Sequence, residues 1–177
     1  MKLKKTINNF KHNFHLKGKY WQNYKHSLNC LPTSLFEIAV GMLLGDACMY
    51  KVSKQAYIKF EQGFKQQLFL EHLFLHFKKY CFMEKPGTQI YLRCILKGKQ
   101  KSFWFKTFSH KSFTKLFALF YQEKNIQNTY SKKIGENLIL NFLKHRGLAY
   151  WIMCDGSLQK NKKTIILHTQ EFSLYFK

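Results

Sequence analysis

The chain contains 177 residues, is 46% hydrophobic and carries a formal net charge of +21, which excludes a wholly disordered protein. Its length fits one domain or two small similar ones. Because 30 basic residues stand against 9 acidic ones, we expect a polyanionic partner, nucleic acid first and an anionic membrane surface second. No apolar run reaches the ~18 residues of a membrane span, and no basic amphipathic helix of membrane-binding length is expected, so a membrane is not the predicted partner.

Cysteine usage and codon-linked composition bear on the compartment. The five cysteines form no CxxC pair, which argues against a disulfide framework and a zinc site and favours reduced intracellular thiols. We also expect the eight histidines to have no metal-ligand spacing such as HxxxH, and therefore no role in binding zinc. Lysine greatly outnumbers arginine, and Asn, Phe, Tyr and Ile are abundant. Since all these residues have AT-rich codons, we expect an organellar gene, in a mitochondrion or a chloroplast.

Residues 1–30 are polar and basic, and two interpretations stay open. They form either a frayed tail or a basic arm that follows a phosphate backbone. In the second case, Tyr20, Trp21 and Tyr24 would dock the arm on the following domain.

A helix is predicted from Thr33 or Ser34 to about Asp46. Ser34 and Glu37 have the spacing of a capping box. Gly41 and Gly45 share one helical face, and each destabilises a helix interior by roughly 1 kcal/mol relative to Ala. We therefore expect another backbone to approach this face closely.

The next segments alternate between strands and amphipathic helices. Two hairpins with β-forming residues predict a four-stranded antiparallel sheet. The helix after the first hairpin has Leu68, Leu70, Leu73, Phe74 and Phe77 on its predicted inner face. The predicted order is a hairpin over 47–61, a helix over 65–80, strands at 90–96 and 102–106, a helix over 112–121, a polar loop over 122–133 and a short helix over 136–143.

The first part of this pattern repeats at the C-terminal end. A helix ending at Asp155 is followed by a turn and a strand over 164–169. Gln62 lies 16 residues after Asp46, and Gln170 lies 15 residues after Asp155. The predicted organisation is therefore a basic segment (1–30), a first complete unit (31–145) and a second unit (146–177) that stops about 70 residues early.

The only two aspartates of the chain, Asp46 and Asp155, each end an apolar helix. Two parallel helices packed through small residues would place these acids side by side at a pseudo-twofold axis. Like charges that close need compensation, and Mg²⁺ prefers carboxylate oxygen. The predicted chemistry is Mg²⁺-dependent phosphodiester hydrolysis, with each acid serving one DNA strand. Alternatively, both residues are ordinary polar helix ends.

The predicted sheet presents candidate readers of a nucleic acid. Lysine contacts to phosphate would set affinity, whereas Gln and Arg contacts to base edges would set specificity. Gln62 and Gln170, at strand ends, would bind a phosphate, a metal-bound water or a base edge, or would merely cap the strand. The other candidates are Lys51, Lys54, Gln55, Lys59, Arg93, Lys97, Lys99, Gln100 and Lys101.

Residues 41–47 (GMLLGDA) and 148–156 (LAYWIMCDG) resemble the paired signature of LAGLIDADG homing endonucleases, in the double-motif single-chain form of organellar introns. Residues 132–138 and the strand end at 169–170 add to the resemblance, which covers about 31–177. The resemblance implies a mixed α/β fold with an αββαββα unit per copy and a saddle-shaped antiparallel sheet over double-stranded DNA. It also implies a monomer that uses Mg²⁺ or Mn²⁺, motif packing through Gly41, Gly45 and Ala149, metal ligands Asp46, Asp155 and the backbone carbonyls of Gly45 and Cys154, and Lys132 as the nearby basic residue.

Departures from the family pattern keep other hypotheses open. Gly135 stands where proline is usual, and Cys154 stands beside the catalytic acid where a second acid is frequent. Because the second unit stops early, we expect the chain alone to be unstable or to cleave poorly, unless a second chain supplies the remainder in trans. An RNA maturase that binds intron RNA, or a catalytically decayed relic on the same fold, is the alternative.

Overall fold

The computed structural model describes residues 18–91, 100–124, 129–135 and 137–169, although the side chains of residues 91, 100 and 101 are not among them. The chain divides into two compact units, Met1–Cys30 and Leu31–Lys177. Within the first unit, α1 (Lys19–Ser27) packs Trp21 edge-on against Tyr20 and Tyr24, with ring centroids 5.5 and 5.7 Å apart. Residues 1–17 of the predicted basic arm lie outside the described residues.

The compact unit Leu31–Lys177 begins with a helix and a four-stranded sheet in the predicted order. The strand order is β1–β2–β4–β3, and every neighbouring pair is antiparallel. The mixed α/β architecture and the αββαββα unit are therefore confirmed. Its elements are α2 (Thr33–Leu44), β1 (Cys48–Val52), β2 (Gln55–Gly63), a 3₁₀ turn (Phe64–Gln66), α3 (Gln67–Phe77), a second 3₁₀ turn (Lys78–Tyr80), β3 (Gly87–Tyr91), β4 (Gln100–Lys106) and α4 (Lys111–Phe120).

The same compact unit, Leu31–Lys177, continues with a short hairpin and the helix of the second motif. The prediction of a polar loop over 122–133 is wrong, because two strands pair there and end at Lys132. The elements are β5 (Tyr121–Glu123), β6 (Tyr130–Lys132), α5 (Leu138–Phe142), α6 (His145–Asp155), β7 (Gly156–Leu158) and β8 (Ile165–Leu167). In the described part of the chain, no helix has the length and apolar character to cross a membrane.

The hydrophobic core lies between one face of the sheet and the helices α3 and α4. Strand β2 alternates, so that Phe60 is buried, and its ring centroid lies 4.6 Å from that of Phe105 and 5.0 Å from that of Phe77. Burying a Phe side chain contributes roughly 1.5–3 kcal/mol, so this cluster fixes the sheet against α3. Leu68, predicted to face inward, is instead 81% exposed, because it lies at the N-terminal turn of α3 on the side away from the sheet.

The two motif helices, α2 and α6, pack against each other through glycine. A Cβ atom added to Gly41 would overlap the carbonyl oxygen of Gly147, and one added to Gly147 would lie 2.8 Å from the carbonyl oxygen of Glu37. The backbones are thus in direct contact, as the two glycines of α2 predicted. Ala149, however, is exposed. Its assignment to this interface is wrong, because Gly147 already occupies the facing position and Ala149 is turned ~200° from it around the helix.

The start of α2 differs from the predicted capping box. Pro32 precedes the first helical residue, Thr33, and no side chain caps the helix. The Glu37 carboxylate accepts a hydrogen bond from Arg146 of α6, with Oε2 and Nη1 3.3 Å apart. Glu37 therefore serves the contact between the two motif helices rather than its own helix start.

We expect Gly41→Ala to destabilise the protein by about 1–3 kcal/mol or more, since the added methyl group meets backbone that cannot rotate away. For a chain of this size, that corresponds to a fall in Tm of roughly 2–4 °C per kcal/mol. Differential scanning calorimetry measures the shift. Gly63→Ala is the matched control, because nothing lies within 4 Å of its Cβ position. Equal Tm values for the two variants would contradict the close helix contact.

Candidate active site

The C-terminal ends of α2 and α6 meet next to the two aspartates. A Cβ atom on Gly45 would lie 2.6 Å from Cβ of Cys154 and 3.4 Å from Oδ2 of Asp155. The Asp155 carboxylate therefore lies against the residue that precedes Asp46. The glycine contact between the helices leads directly to this convergence, because it sets how closely their ends approach. The structure thus brings the ends of the two motif helices together, and the side-by-side pairing of the two carboxylates stays a prediction.

Each acid is held by a different hydrogen-bond donor. The amide Nε2 of Gln62 donates to Oδ2 of Asp46 at 2.9 Å, and the indole Nε1 of Trp151 donates to Oδ2 of Asp155 at 3.2 Å. Gln62 is only 4% exposed, and its predicted contact with a phosphate, a metal-bound water or a base edge stays a prediction. The side chain reaches inward from the end of β2 and orients a carboxylate.

Lys132, at the end of β6, reaches the same site. Its Nζ donates to the carbonyl oxygens of Gly45 and Ala47, at 3.3 and 3.4 Å. Desolvation lowers the pKa of the Lys132 ammonium, while the negative charges of Asp46 and Asp155 oppose that shift. The Lys132 ammonium thus contacts the backbone carbonyls of the residues that precede and follow Asp46. The family resemblance implied a basic residue at this place.

Cys154 closes the inner side of the site. Its Sγ lies 3.5 Å from Sδ of Met42 and 3.9 Å from Nε2 of Gln62. Burial raises the pKa of the Cys154 thiol to about 12, although the backbone amide of Asp46 beside it acts in the opposite direction. The Cys154 side chain therefore packs between Met42 and Gln62 on the inner side of the site.

The donor set around the helix ends fits a hard divalent cation. It consists of two carboxylates and nearby backbone carbonyls, which are the oxygen ligands that Mg²⁺ prefers while it retains several waters. In the part of the chain that the structure describes, no three His, Cys, Asp or Glu side chains come together as a cage for a softer metal. The Gly45 carbonyl already accepts a hydrogen bond from the Lys132 ammonium, so this oxygen faces positive charge.

One face of the sheet is directed away from α3 and α4, and we call it the open face. Along β2 the buried residues alternate with residues of this face, which include Gln55, Lys59 and Glu61. Lys59 is paired with Lys106 of β4, and Glu61 is paired with Trp104. The face also contains Tyr50 and Tyr57, whose rings stack with centroids 5.4 Å apart. Charge, amide and aromatic groups therefore share one surface.

The residues predicted to contact the nucleic acid lie at several different places. Gln55 and Lys59 lie on the open face, and Lys54 is exposed in the turn between β1 and β2. Lys51 of β1 lies on the other side of the sheet from Gln55 and Lys59, and its Nζ lies 3.2 Å from the hydroxyl of Tyr130 in β6. Gln100 and Lys101 begin β4, and the remaining candidates, Arg93, Lys97, Lys99 and Gln170, lie outside the described residues.

Residues 36–175 match the family model for LAGLIDADG DNA endonucleases. The chain belongs to the LAGLIDADG DNA endonuclease family. In this family member, Asp155 is the last residue of α6, and Asp46 lies two residues past Leu44, the end of α2.

Named relatives and a solved structure share this similarity. A probable intron-encoded DNA endonuclease 3 of Mycosarcoma maydis is 51% identical over 76 residues, which are 43% of this chain and 54% of that protein. A probable intron-encoded endonuclease 1 of Wickerhamomyces canadensis is 31% identical over 160 residues, 88% of this chain and 66% of that protein. The chain thus spans less than two thirds of the length of these relatives. The homing endonuclease I-WcaI, solved bound to its DNA recognition sequence, superposes with a TM-score of 0.78 at 30% identity, over 92% of this chain and 71% of its own.

One side-chain cluster near the LAGLIDADG helices escaped the sequence analysis. His72 and His76 are four residues apart on α3, so the expectation that the histidines have no metal-ligand spacing is wrong. Their ring centroids are 4.6 Å apart. Nε2 of His72 lies 2.7 Å from the hydroxyl of Tyr150, which joins α3 to the second motif helix. The HxxxH spacing is the sequence signal that indicates the histidine pair. No sequence pattern indicates the contact between His72 and Tyr150.

We expect the Cys154 thiol to resist alkylation at pH 8, because a pKa of about 12 leaves almost no thiolate. Iodoacetamide should modify exposed Cys30 at least roughly tenfold faster. Peptide mass spectrometry over time gives both rates in one sample. The variant Cys30→Ser, in which the fast reaction disappears, confirms the assignment. Equal rates at Cys30 and Cys154 would show that the site is open to solvent at the thiol.

Proposed function

We propose that this chain is a site-specific endonuclease that cleaves double-stranded DNA with Mg²⁺. The observation that carries the proposal is the convergence of Asp46, Asp155 and Lys132 at the ends of two helices in glycine contact. The relatives named as intron-encoded DNA endonucleases support the substrate class. Their names support a gene carried in an intron and a role in intron homing, and the abundance of residues that have AT-rich codons supports an organellar gene.

Asp46 and Asp155 would hold the metal ion, with the backbone carbonyls of Gly45 and Cys154 as further oxygen ligands. When bound, Mg²⁺ would supply activation of a water nucleophile and stabilisation of the leaving oxygen of the phosphodiester. Manganese, which also takes oxygen ligands, should substitute. The fit rests on the oxygen donors, two carboxylates and backbone carbonyls, which are the ligands that Mg²⁺ prefers.

The protein's own residues would act by orientation and charge. Gln62 holds the Asp46 carboxylate, and Trp151 holds the Asp155 carboxylate, so neither acid needs to find its rotamer when the substrate arrives. Lys132 presents an ammonium beside both acids and would neutralise charge on the scissile phosphate. Because the two acids have unlike donors, we propose that the two strands are cleaved at unequal rates.

DNA would bind across the open face of the sheet. A net charge of +21 supplies the electrostatic attraction to phosphates, which makes affinity fall steeply with salt. The DNA-bound state of the similar homing endonuclease supports this choice over other polyanions. RNA binding by a maturase on the same fold is the competing outcome, and the same charge would serve it.

Asp46→Asn and Asp155→Asn should each lower double-strand cleavage by at least about 100-fold, because an amide replaces a charged metal ligand. Their DNA affinity, measured by gel shift in Ca²⁺, should be retained. Supercoiled plasmids that carry candidate intron-insertion sites give nicking and linearisation together. Glu84→Gln is the control for loss of an exposed acid away from the site. If the wild-type chain binds intron RNA and aids splicing but cuts no DNA, the maturase hypothesis replaces this one.

Lys132→Met should lower the cleavage rate by roughly 10²–10⁴-fold, in the range that a positioned charged or proton-transferring group contributes. Lys133→Met is the matched control, since it removes the same charge from the next, exposed residue. Single-turnover rates at saturating Mg²⁺ separate the chemical effect from DNA binding. Comparable losses in both variants would mean that Lys132 contributes only to overall charge.

A further inference from the structure

Glu61 is an acidic residue on the open face of the sheet, the face that we propose binds DNA. It lies between buried Phe60 and buried Gln62 on β2, so strand alternation directs its side chain to the open face. Its neighbour Gln62 holds the Asp46 carboxylate, which places Glu61 at the end of the face closest to the active site. An acid at this place opposes phosphate binding and therefore calls for another explanation.

Two partners hold the Glu61 carboxylate in one orientation. Oε2 accepts a hydrogen bond from Nζ of Lys59 at 2.6 Å, and Oε1 accepts one from Oγ of Ser102 at 2.6 Å. The partners come from β2 and β4, so the carboxylate is tied to two strands. Its side chain keeps 24% of its surface exposed. A carboxylate has about four acceptor positions on its two oxygens, and an ionised carboxylate donates no hydrogen bond.

This chemistry selects among the groups that DNA presents. A carboxylate repels phosphate oxygens and the O6 and N7 acceptors of guanine, but it accepts a hydrogen bond from the N4 amino group of cytosine. Lys59 offsets the charge of Glu61, which lowers the electrostatic penalty of bringing DNA close. The arrangement thus combines one attractive contact with repulsion of the wrong groups, which is how specificity differs from affinity.

A purely stabilising ion pair does not account for the site as well. A Lys–Glu pair that water still reaches stabilises a fold only weakly, and this pair lies within a single strand, so it joins no separate elements. The second anchor, from buried Ser102, fixes the direction of the carboxylate rather than adding charge compensation. Fixed direction is what base recognition requires.

We propose that Glu61 is a specificity-determining residue that selects cytosine at one position of the DNA target through its N4 amino group. The inference rests on the proposed DNA-binding function. Ser102 and Lys59 act as positioning residues for the carboxylate.

The test is the base preference of the full-length chain, measured by selection of bound DNA from a randomised library in Ca²⁺, so that cleavage plays no part. The wild-type chain should prefer cytosine at one position. Glu61→Gln should change that preference to adenine, because an amide pairs with N6 and N7 of adenine. Each preference should be about five- to 100-fold, and other positions should stay unchanged. Glu61→Ala should lose selectivity at that position alone.

Two controls separate the outcomes. Ser102→Ala should weaken the cytosine preference without changing the preferred base, and unchanged Tm values confirm that the variants fold. If Glu61→Gln and Glu61→Ala alter affinity for all sequences equally and leave every base preference intact, Glu61 acts through charge alone and the inference is overturned. If the wild-type chain selects no DNA sequence at all, the proposed DNA-binding function fails, and the assignment of Glu61 fails with it.

Discussion

The direct backbone contact between Gly41 and Gly147 is the constraint on which the candidate site depends. No side chain separates the two motif helices there, so their ends arrive at the same place and bring Asp46 and Asp155 to one site. A larger residue at either glycine would separate the helix ends and the carboxylates together. The roughly 1 kcal/mol that each helical glycine costs is therefore offset by close packing that also builds the site. Stability and chemistry depend on the same contact.

The surroundings of the two acids make the halves of the site unequal. Asp46 is exposed and receives its hydrogen bond from a glutamine on a neighbouring strand, whereas half-buried Asp155 receives one from a tryptophan on its own helix. Lys132 approaches from the Asp46 side, through the backbone on both sides of that residue. The two copies of the motif thus carry the same acid but hold it with different side chains. The site and the open face share strand β2, which contributes Gln62 to the site and Glu61 to the open face.

Much of the fold followed from local patterns. Alternation placed both hairpins of the sheet. The 3.6-residue period placed the helix over 112–121, which the structure shows as α4 with Phe113, Leu116, Phe117 and Phe120 buried. The predictions that failed needed long-range information. Ala149 was chosen as a small residue in the motif, but the crossing of the helices selects Gly147, just outside it. The sequence left the partner of Gln62 open, and only the fold shows that this buried amide donates to Asp46. The short β5–β6 hairpin that delivers Lys132 has too few residues to show an alternating pattern.

The amino-acid sequence by itself determined that this is a basic, mixed α/β protein with a repeated motif and one aspartate per copy, because charge, periodicity and repetition are properties of the chain. It also determined the family, since the order and spacing of the motifs are sequence facts. Only the tertiary structure decided which glycine meets which, which donor holds each carboxylate, and that Lys59 and Ser102 hold Glu61 on the open face. Those contacts join residues between 2 and 106 positions apart, and their geometry depends on helix crossing and strand register, which no local pattern specifies.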